Sequence, residues 1–118
     1  MSLGLYLHIP YCFSKCRYCD FYSHPGERGV PDAYVDAVLR ELDRFSPDGP
    51  LHPDTVYFGG GTPSLLTPEQ VRRLIEAATP VPGAEVTLEA NPETVTEDSL
   101  QGFREAGVNR ISFGVQSA

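Results

Sequence analysis

The sequence predicts an α/β fold in which about four parallel strands with intervening helices form part of a TIM-like (β/α) barrel. Two observations predict it. Short strand-like segments alternate with segments of helical periodicity, which implies parallel strands joined by right-handed crossovers. The strands also alternate apolar with polar residues. We therefore expect an apolar face against the helices and a polar face lining the inside of a curved sheet.

The length of the chain limits how much of a barrel it can form. The chain has 118 residues, whereas a complete barrel of eight units needs roughly 250. Residues 1–118 are therefore expected to be the amino-terminal part of one domain, about half a barrel. The last strand would keep an unpaired edge, which predicts a truncated chain, self-association through that edge, or a partner that supplies the remainder.

Four strands are expected, each bounded by glycine, proline or asparagine. They cover residues 3–9, 55–58, 85–90 and 110–115. In the first strand, leucines and Ile9 alternate with Tyr6 and His8, and in the third the apolar positions alternate with Glu89. Half of each strand is thus polar, unlike the continuous apolar runs of strands that are buried on both faces.

Three helices are expected between the strands, from apolar stripes and end signals. Pro31 suits the first position of the first helix, and Thr67 opens a capping box at the second. Thr96 caps the third helix, and Gly107 can adopt the left-handed conformation that ends it. The apolar stripes are Tyr34, Val38, Leu42 and Phe45 in the first helix, and Val71, Leu74, Ile75 and Ala78 in the second.

Composition argues against two classes of partner. Nine basic and sixteen acidic residues give a net charge of -7, which repels a phosphate backbone, so no nucleic-acid binding is expected. No apolar run approaches the roughly 20 residues that span a membrane.

Residues 1–10 lack the basic region and cleavage site of a signal peptide, so we expect a cytoplasmic protein.

Three cysteines follow the first strand directly. Cys12, Cys16 and Cys19 form a C-x3-C-x2-C pattern at the end of the strand where α/β folds place their chemistry. This close spacing fits a metal site in a reduced compartment better than a disulfide framework. Three thiolates would leave one iron of a cubane cluster with an open coordination site. The alternatives are a zinc site completed by His24 or His8, and three unconnected buried thiols.

The cysteine segment and its surroundings resemble the signature of the radical S-adenosylmethionine (SAM) superfamily. Four strings in the same order resemble the oxygen-independent coproporphyrinogen III oxidases and the related haem chaperones, and together they span nearly the whole chain. They are LYLHIPYC at 5–12, GGGTPS at 59–64, LEANPE at 88–93 and GVQS at 114–117. The resemblance implies that Cys12, Cys16 and Cys19 bind a [4Fe-4S] cluster and that SAM chelates its open iron. The reduced cluster would then split SAM into methionine and a 5′-deoxyadenosyl radical.

The resemblance also implies a set of SAM contacts, and several of these residues have another explanation. The glycine triplet could simply end a strand. It does not indicate a phosphate-binding loop, because no Lys-Ser or Lys-Thr follows it. Tyr6 could be a core aromatic residue, Tyr18 could shield the cluster from water, and Glu89 could form an ion pair with Arg110. The implied SAM contacts are Tyr6, Tyr18, Gly59, Gly60, Gly61, Thr62, Glu89 and Gln116.

One position distinguishes the branches of this family. Many of the oxidases carry a fourth cysteine two residues after the third, where this chain has Phe21. In this respect the chain resembles the haem-chaperone branch, which implies a protein that binds haem and delivers it to acceptor proteins.

Two alternatives remain open. One is the oxidase, which decarboxylates propionates of coproporphyrinogen III in porphyrin synthesis, and the other is an iron-sulphur or zinc module that does not bind SAM. In both branches the haem- or porphyrin-binding residues and a carboxy-terminal domain would lie beyond residue 118. We therefore expect this chain alone not to turn over.

Overall fold

The computed structural model describes residues 3–11, 29–45, 49, 51–93 and 95–113. Within them, four parallel strands form one sheet in the order β1-β2-β3-β4, so each strand lies beside its neighbour in sequence. This order confirms the predicted α/β class. The strands are β1 (Gly4–Ile9), β2 (Thr55–Gly60), β3 (Glu85–Ala90) and β4 (Arg110–Phe113), and the helices are α1 (Asp32–Arg44), α2 (Pro68–Ala78) and α3 (Glu97–Ala106).

The hydrophobic core lies between the helices and one face of the sheet, as the strand alternation predicts. Val71 and Leu74 of α2 are fully buried in this core, and Phe103 brings α3 into the same cluster. Burying one such side chain contributes about 1.5–3 kcal/mol. The buried apolar strand residues are Leu7 and Ile9 in β1, Val56 and Phe58 in β2, and Val86, Leu88 and Ala90 in β3.

The opposite face of the sheet is open in the described structure. Tyr6 is 56% exposed, whereas its neighbour Leu7 is 5% exposed. Since β1 and β4 are the outer strands, the sheet does not close on itself within the described residues. That the polar face lines the interior of a barrel stays a prediction for a longer chain.

The helix end signals act at or close to the predicted positions. The Thr67 side chain accepts from the backbone N–H of Gln70, and the Gln70 side chain accepts from the N–H of Thr67, which confirms the capping box of α2. Thr96 caps α3, and Gly107 follows that helix with φ 123°. Pro31 is the residue before α1 rather than its first residue, a difference of one position.

Two further predicted details differ from the structure. Phe45 was expected to complete the apolar stripe of the first helix, but it is 69% exposed. α1 ends at Arg44 and Phe45 is its C-cap residue, so the last member of the predicted stripe lies at the end of the helix rather than within it. β2 also continues two residues beyond Phe58, to Gly60, because these residues still pair with His8 and Ile9 of β1.

No helix in the described part of the chain is both long enough and apolar enough to cross a bilayer.

Gln70 ties α2 to the start of α1, and we expect its loss to destabilise the fold. Its Nε2 donates to the carbonyl of Val30 and to Asp32 Oδ1, each at 2.8 Å. Its Oε1 accepts the cap bond from the N–H of Thr67. The side chain is buried, so Gln70→Met leaves a buried carbonyl without this donor. The expected loss in the free energy of unfolding is about 2 kcal/mol, measured by urea denaturation followed by circular dichroism.

The matched control is Gln101→Met, the same substitution at an exposed position of α3. Gln101 Nε2 makes a single long contact of 3.5 Å with Glu105, so its replacement should change the free energy of unfolding by less than about 0.5 kcal/mol. Equal effects of the two substitutions would show that the buried bonds of Gln70 do not stabilise the fold.

Candidate functional site: the carboxyl ends of the strands

The candidate site lies where the carboxyl ends of the parallel strands meet. In the register of the sheet, Ile9 at the end of β1 pairs with Gly60 at the end of β2, and Leu88 of β3 pairs with Phe58. The chain leaving β1 therefore runs beside the glycine turn after β2 and near Glu89 of β3. Open α/β sheets bind their ligands outside the carboxyl ends of the strands.

Backbone hydrogen bonds fix the path of the chain as it leaves β1. The N–H of Gly61 donates to the carbonyl of Ile9 at 2.8 Å, and the N–H of Thr62 donates to the carbonyl of Tyr11 at 2.6 Å. Thr62 itself is buried. Because Cys12 is the next residue after Tyr11, these bonds hold the backbone at the start of the cysteine segment.

Tyr34 of α1 adds a side-chain contact to the same exit. Its hydroxyl donates to the carbonyl of His8 at 2.7 Å, and its ring meets that of Tyr11 edge to face, with centroids 5.3 Å apart. Burial, together with the neighbouring Tyr11, raises the pKa of Tyr34. The hydroxyl therefore stays protonated and able to donate over the physiological range.

The glycine turn after β2 is shaped by side chains of β1. A Cβ on Gly59 would lie 2.5 Å from the Tyr6 hydroxyl oxygen, since the Tyr6 ring lies across this position. Gly60 has φ 115°, and a Cβ there would lie 2.8 Å from His8 Nδ1. Packing of Tyr6 and His8 thus explains two of the three glycines, a reason that the sequence alone did not indicate.

Glu89 is held by two donors on the open face. Its Oε2 accepts from the Tyr57 hydroxyl at 2.6 Å, and its Oε1 accepts from the backbone N–H of Gly60 at 3.2 Å. An ionised carboxylate has about four lone-pair sites, so the described contacts leave each oxygen a further site with which to accept a hydrogen bond. A carboxylate in this arrangement can accept from a cationic donor such as an ammonium group.

The alternative partner for Glu89, an ion pair with Arg110, is wrong. Arg110 Nη1 lies 2.7 Å from Glu85 Oε1 instead. Arg110 pairs in register with Thr87 of β3. Glu85 and Glu89 lie two residues before and two residues after Thr87, on the same face of the strand. The pair with Glu85 leaves both charges largely in water, whereas the oxygens of Glu89 already accept from Tyr57 and Gly60.

Tyr57 is the residue of this face that the sequence prediction missed. It is the register partner of Tyr6, and the two rings stack with centroids 5.7 Å apart and planes at 11°. The hydrogen bond to Glu89 is the main cause of a raised pKa for Tyr57, and desolvation adds to it. Tyr57 lies between Val56 and Phe58 in an alternating strand, which places it on the polar face. This alternation could have identified Tyr57 from the sequence.

The structure brings together part of the predicted set of site residues. Tyr6 stacks on Tyr57, Tyr57 bonds to Glu89, and Glu89 bonds to Gly60, so one connected row crosses three strands. Gly61 and Thr62 follow directly and bond to the exit of β1. No group of three His, Cys, Asp or Glu side chains that could hold a metal ion occurs among the residues with described positions. The predicted residues outside the described ranges are Cys12, Cys16, Tyr18, Cys19 and Gln116.

The class to which the chain belongs follows from a comparison with models of protein families. The model of the radical SAM superfamily matches residues 6–118, and the chain therefore belongs to this superfamily. Membership implies, in general, a [4Fe-4S] cluster and SAM as cofactors.

Individual relatives narrow the resemblance. The chain is 46% identical to heme chaperone HemW of Escherichia coli (strain K12), over 98% of this chain and 32% of the relative. It is 44% identical to radical S-adenosyl methionine domain-containing protein 1, mitochondrial, of Bos taurus, over 97% of this chain and 27% of the relative. The chain thus spans between about a quarter and a third of the length of these curated relatives.

A solved structure agrees with the fold. Coproporphyrinogen III oxidase (HemN) from Escherichia coli, described as a radical SAM enzyme, matches with a TM-score of 0.79 at 32% identity, over 98% of this chain and 28% of that chain. The predicted four-stranded part of a radical SAM barrel is confirmed, as is the resemblance to the oxidases and haem chaperones.

Proposed function

We propose that this chain is the amino-terminal part of the radical SAM domain of a haem chaperone, a protein that binds haem and delivers it to acceptor proteins. The observation that carries this proposal is the 46% identity to a heme chaperone over 98% of the chain. Phe21, at the position where many oxidases have a further cysteine, supports the same branch. The haem-binding residues would lie in the larger part of the protein that this chain does not span.

In this proposal Cys12, Cys16 and Cys19 hold a [4Fe-4S] cluster, and the superfamily match favours iron and sulphur over zinc. When bound, the cluster and SAM supply one-electron radical chemistry. The described residues contribute the geometry around them: the N–H groups of Gly61 and Thr62 fix the chain entering the cysteine segment.

The SAM site would be formed by the row on the polar face and by the turn after β2. Glu89 has acceptor sites left for an ammonium group, and the exposed Gly60 beside it lets a ligand approach the backbone closely. The proposed SAM-binding set remains Tyr6, Tyr18, Gly59, Gly60, Gly61, Thr62, Glu89 and Gln116. A reduced compartment such as the cytoplasm suits three free thiols.

The second candidate is an oxygen-independent coproporphyrinogen III oxidase, and the structural match to the HemN oxidase at a TM-score of 0.79 supports it. The two functions use the same cluster and SAM, so the site residues of this chain fit both functions. The greater sequence identity to the heme chaperone, 46% against 32%, favours the first.

Anaerobic reconstitution of the complete protein with iron and sulphide tests the cofactor proposal. Electron paramagnetic resonance of the reduced protein should show a [4Fe-4S] signal that changes when SAM is added. A spectrum unchanged by SAM would contradict it.

Assays of haem transfer and of coproporphyrinogen III decarboxylation then separate the branches. We expect haem to pass from the complete protein to an acceptor apoprotein, without decarboxylation. Decarboxylation with turnover would instead establish the oxidase.

A further inference from the structure

The hydrogen bond between Tyr57 and Glu89 connects two strands on the polar face. At 2.6 Å it lies within the normal range of a charge-assisted bond between a hydroxyl and a carboxylate. Glu89 Oε1 accepts from the Gly60 N–H at a longer distance, 3.2 Å. Of the two donors that set the direction of the carboxylate, the Tyr57 phenol is therefore the closer one.

We propose that Tyr57 is a positioning residue, which fixes the Glu89 carboxylate so that its remaining lone pairs meet the amino group of SAM; this rests on the proposed function. A glutamate side chain loses considerable rotamer freedom when it is ordered. If Tyr57 restricts Glu89 before the ligand arrives, that loss does not weaken binding.

Packing keeps the Tyr57 hydroxyl in place. The ring stacks on Tyr6, and the Tyr6 ring in turn lies across Gly59, whose missing side chain makes room for it. Ser112 of β4, the register partner of Glu89, acts on the Tyr57 hydroxyl in the opposite direction to Glu89 and lowers its pKa. Contacts from β1 and β3 thus hold one side chain of β2.

The protonation state of Tyr57 agrees with a donating role. The bond to Glu89 raises its pKa above the usual value of about 10, so the hydroxyl is protonated at neutral pH. Loss of the Glu89 charge should bring the titration of this tyrosine back to lower pH, in the protein without cofactors as well as with them.

A double-mutant cycle tests whether Tyr57 acts through Glu89. SAM affinity is measured by calorimetry on the complete, anaerobically reconstituted protein and on its Tyr57→Phe, Glu89→Gln and doubly substituted forms. Phenylalanine keeps the stacked ring and removes only the hydroxyl. We expect Tyr57→Phe to weaken SAM binding by about threefold to tenfold, and to have little further effect once Glu89 is replaced.

Arg110→Gln is the matched control on the same face. It removes the ion pair with Glu85 at the other end of the strands and should leave SAM affinity unchanged. Ultraviolet titration of the tyrosines in the cofactor-free protein provides a second readout, in which Glu89→Gln should shift one tyrosine to lower pH. This readout does not depend on the folding of the Tyr57→Phe variant.

The outcomes separate this inference from the proposed function. If the unsubstituted protein binds SAM but Tyr57→Phe has no effect, or an equal effect with and without Glu89, then Tyr57 is not a positioning residue and the proposed function stands. The absence of a tyrosine shift in Glu89→Gln would also overturn the inference. Failure of the unsubstituted protein to bind SAM would overturn both.

Discussion

Replacing Gly60 with alanine should destabilise the protein by about 2–6 kcal/mol, because two effects act at this position. The first is backbone strain, since φ is 115° and residues with a side chain rarely adopt it, at a cost of about 1–3 kcal/mol. The second is overpacking, about 1–3 kcal/mol: the new Cβ would lie 2.8 Å from His8 Nδ1 and 2.9 Å from the carbonyl oxygen of Ile9.

Gly49 provides a control that separates these effects. Its φ is 116°, nearly the same as that of Gly60, but no atom of the described residues lies within 4 Å of a Cβ built there. Gly49→Ala should therefore show the strain without the overpacking, and urea denaturation of both variants gives the difference. Equal losses of stability would mean that the close approach of β1 to the glycine turn has no energetic consequence.

Replacing any one of Cys12, Cys16 or Cys19 with alanine should abolish the stable cluster, because each thiolate is proposed to bind one iron. We expect about four irons per chain in the reconstituted complete protein and less than one in each variant, measured by metal analysis and by the iron-sulphur absorbance. Ser14→Ala, within the same segment, is the control and should keep its iron.

Metal analysis of the same samples also tests the zinc alternative. About one zinc per chain, bound in place of iron after anaerobic purification and lost in the cysteine variants, would support a structural zinc module. Iron with labile sulphide, together with a spectrum that responds to SAM, would exclude it.

Local signals predicted the helices well. The capping box of α2 joins Thr67 to Gln70, three residues further on, so it forms within one turn and depends little on the rest of the fold. The strand faces could also be predicted, since alternation alone separates buried Leu7 and Ile9 from exposed Tyr6. Phe45 shows the limit of this approach, because a periodic stripe does not indicate the residue at which its helix ends.

The contacts of the site were harder to predict because they join different strands. Arg110 has two glutamates at equal register distance, and only the bonds that Glu89 makes to Tyr57 and Gly60 distinguish them. Tyr57 has no motif of its own. Its role depends on the pairing of β2 with β1 and β3, which sequence spacing does not specify.

The hydrogen bonds at the exit of β1 have a consequence for how the two cofactor regions respond to each other. Gly61 and Thr62 belong to the proposed SAM-binding turn, yet their amide protons are bound by Ile9 and Tyr11, which lead into the cysteines. A disturbance on either side must break or bend the same two bonds. These amides should therefore exchange slowly with deuterated solvent and become exposed together, so that loosening the cysteine segment also loosens the turn that would receive SAM.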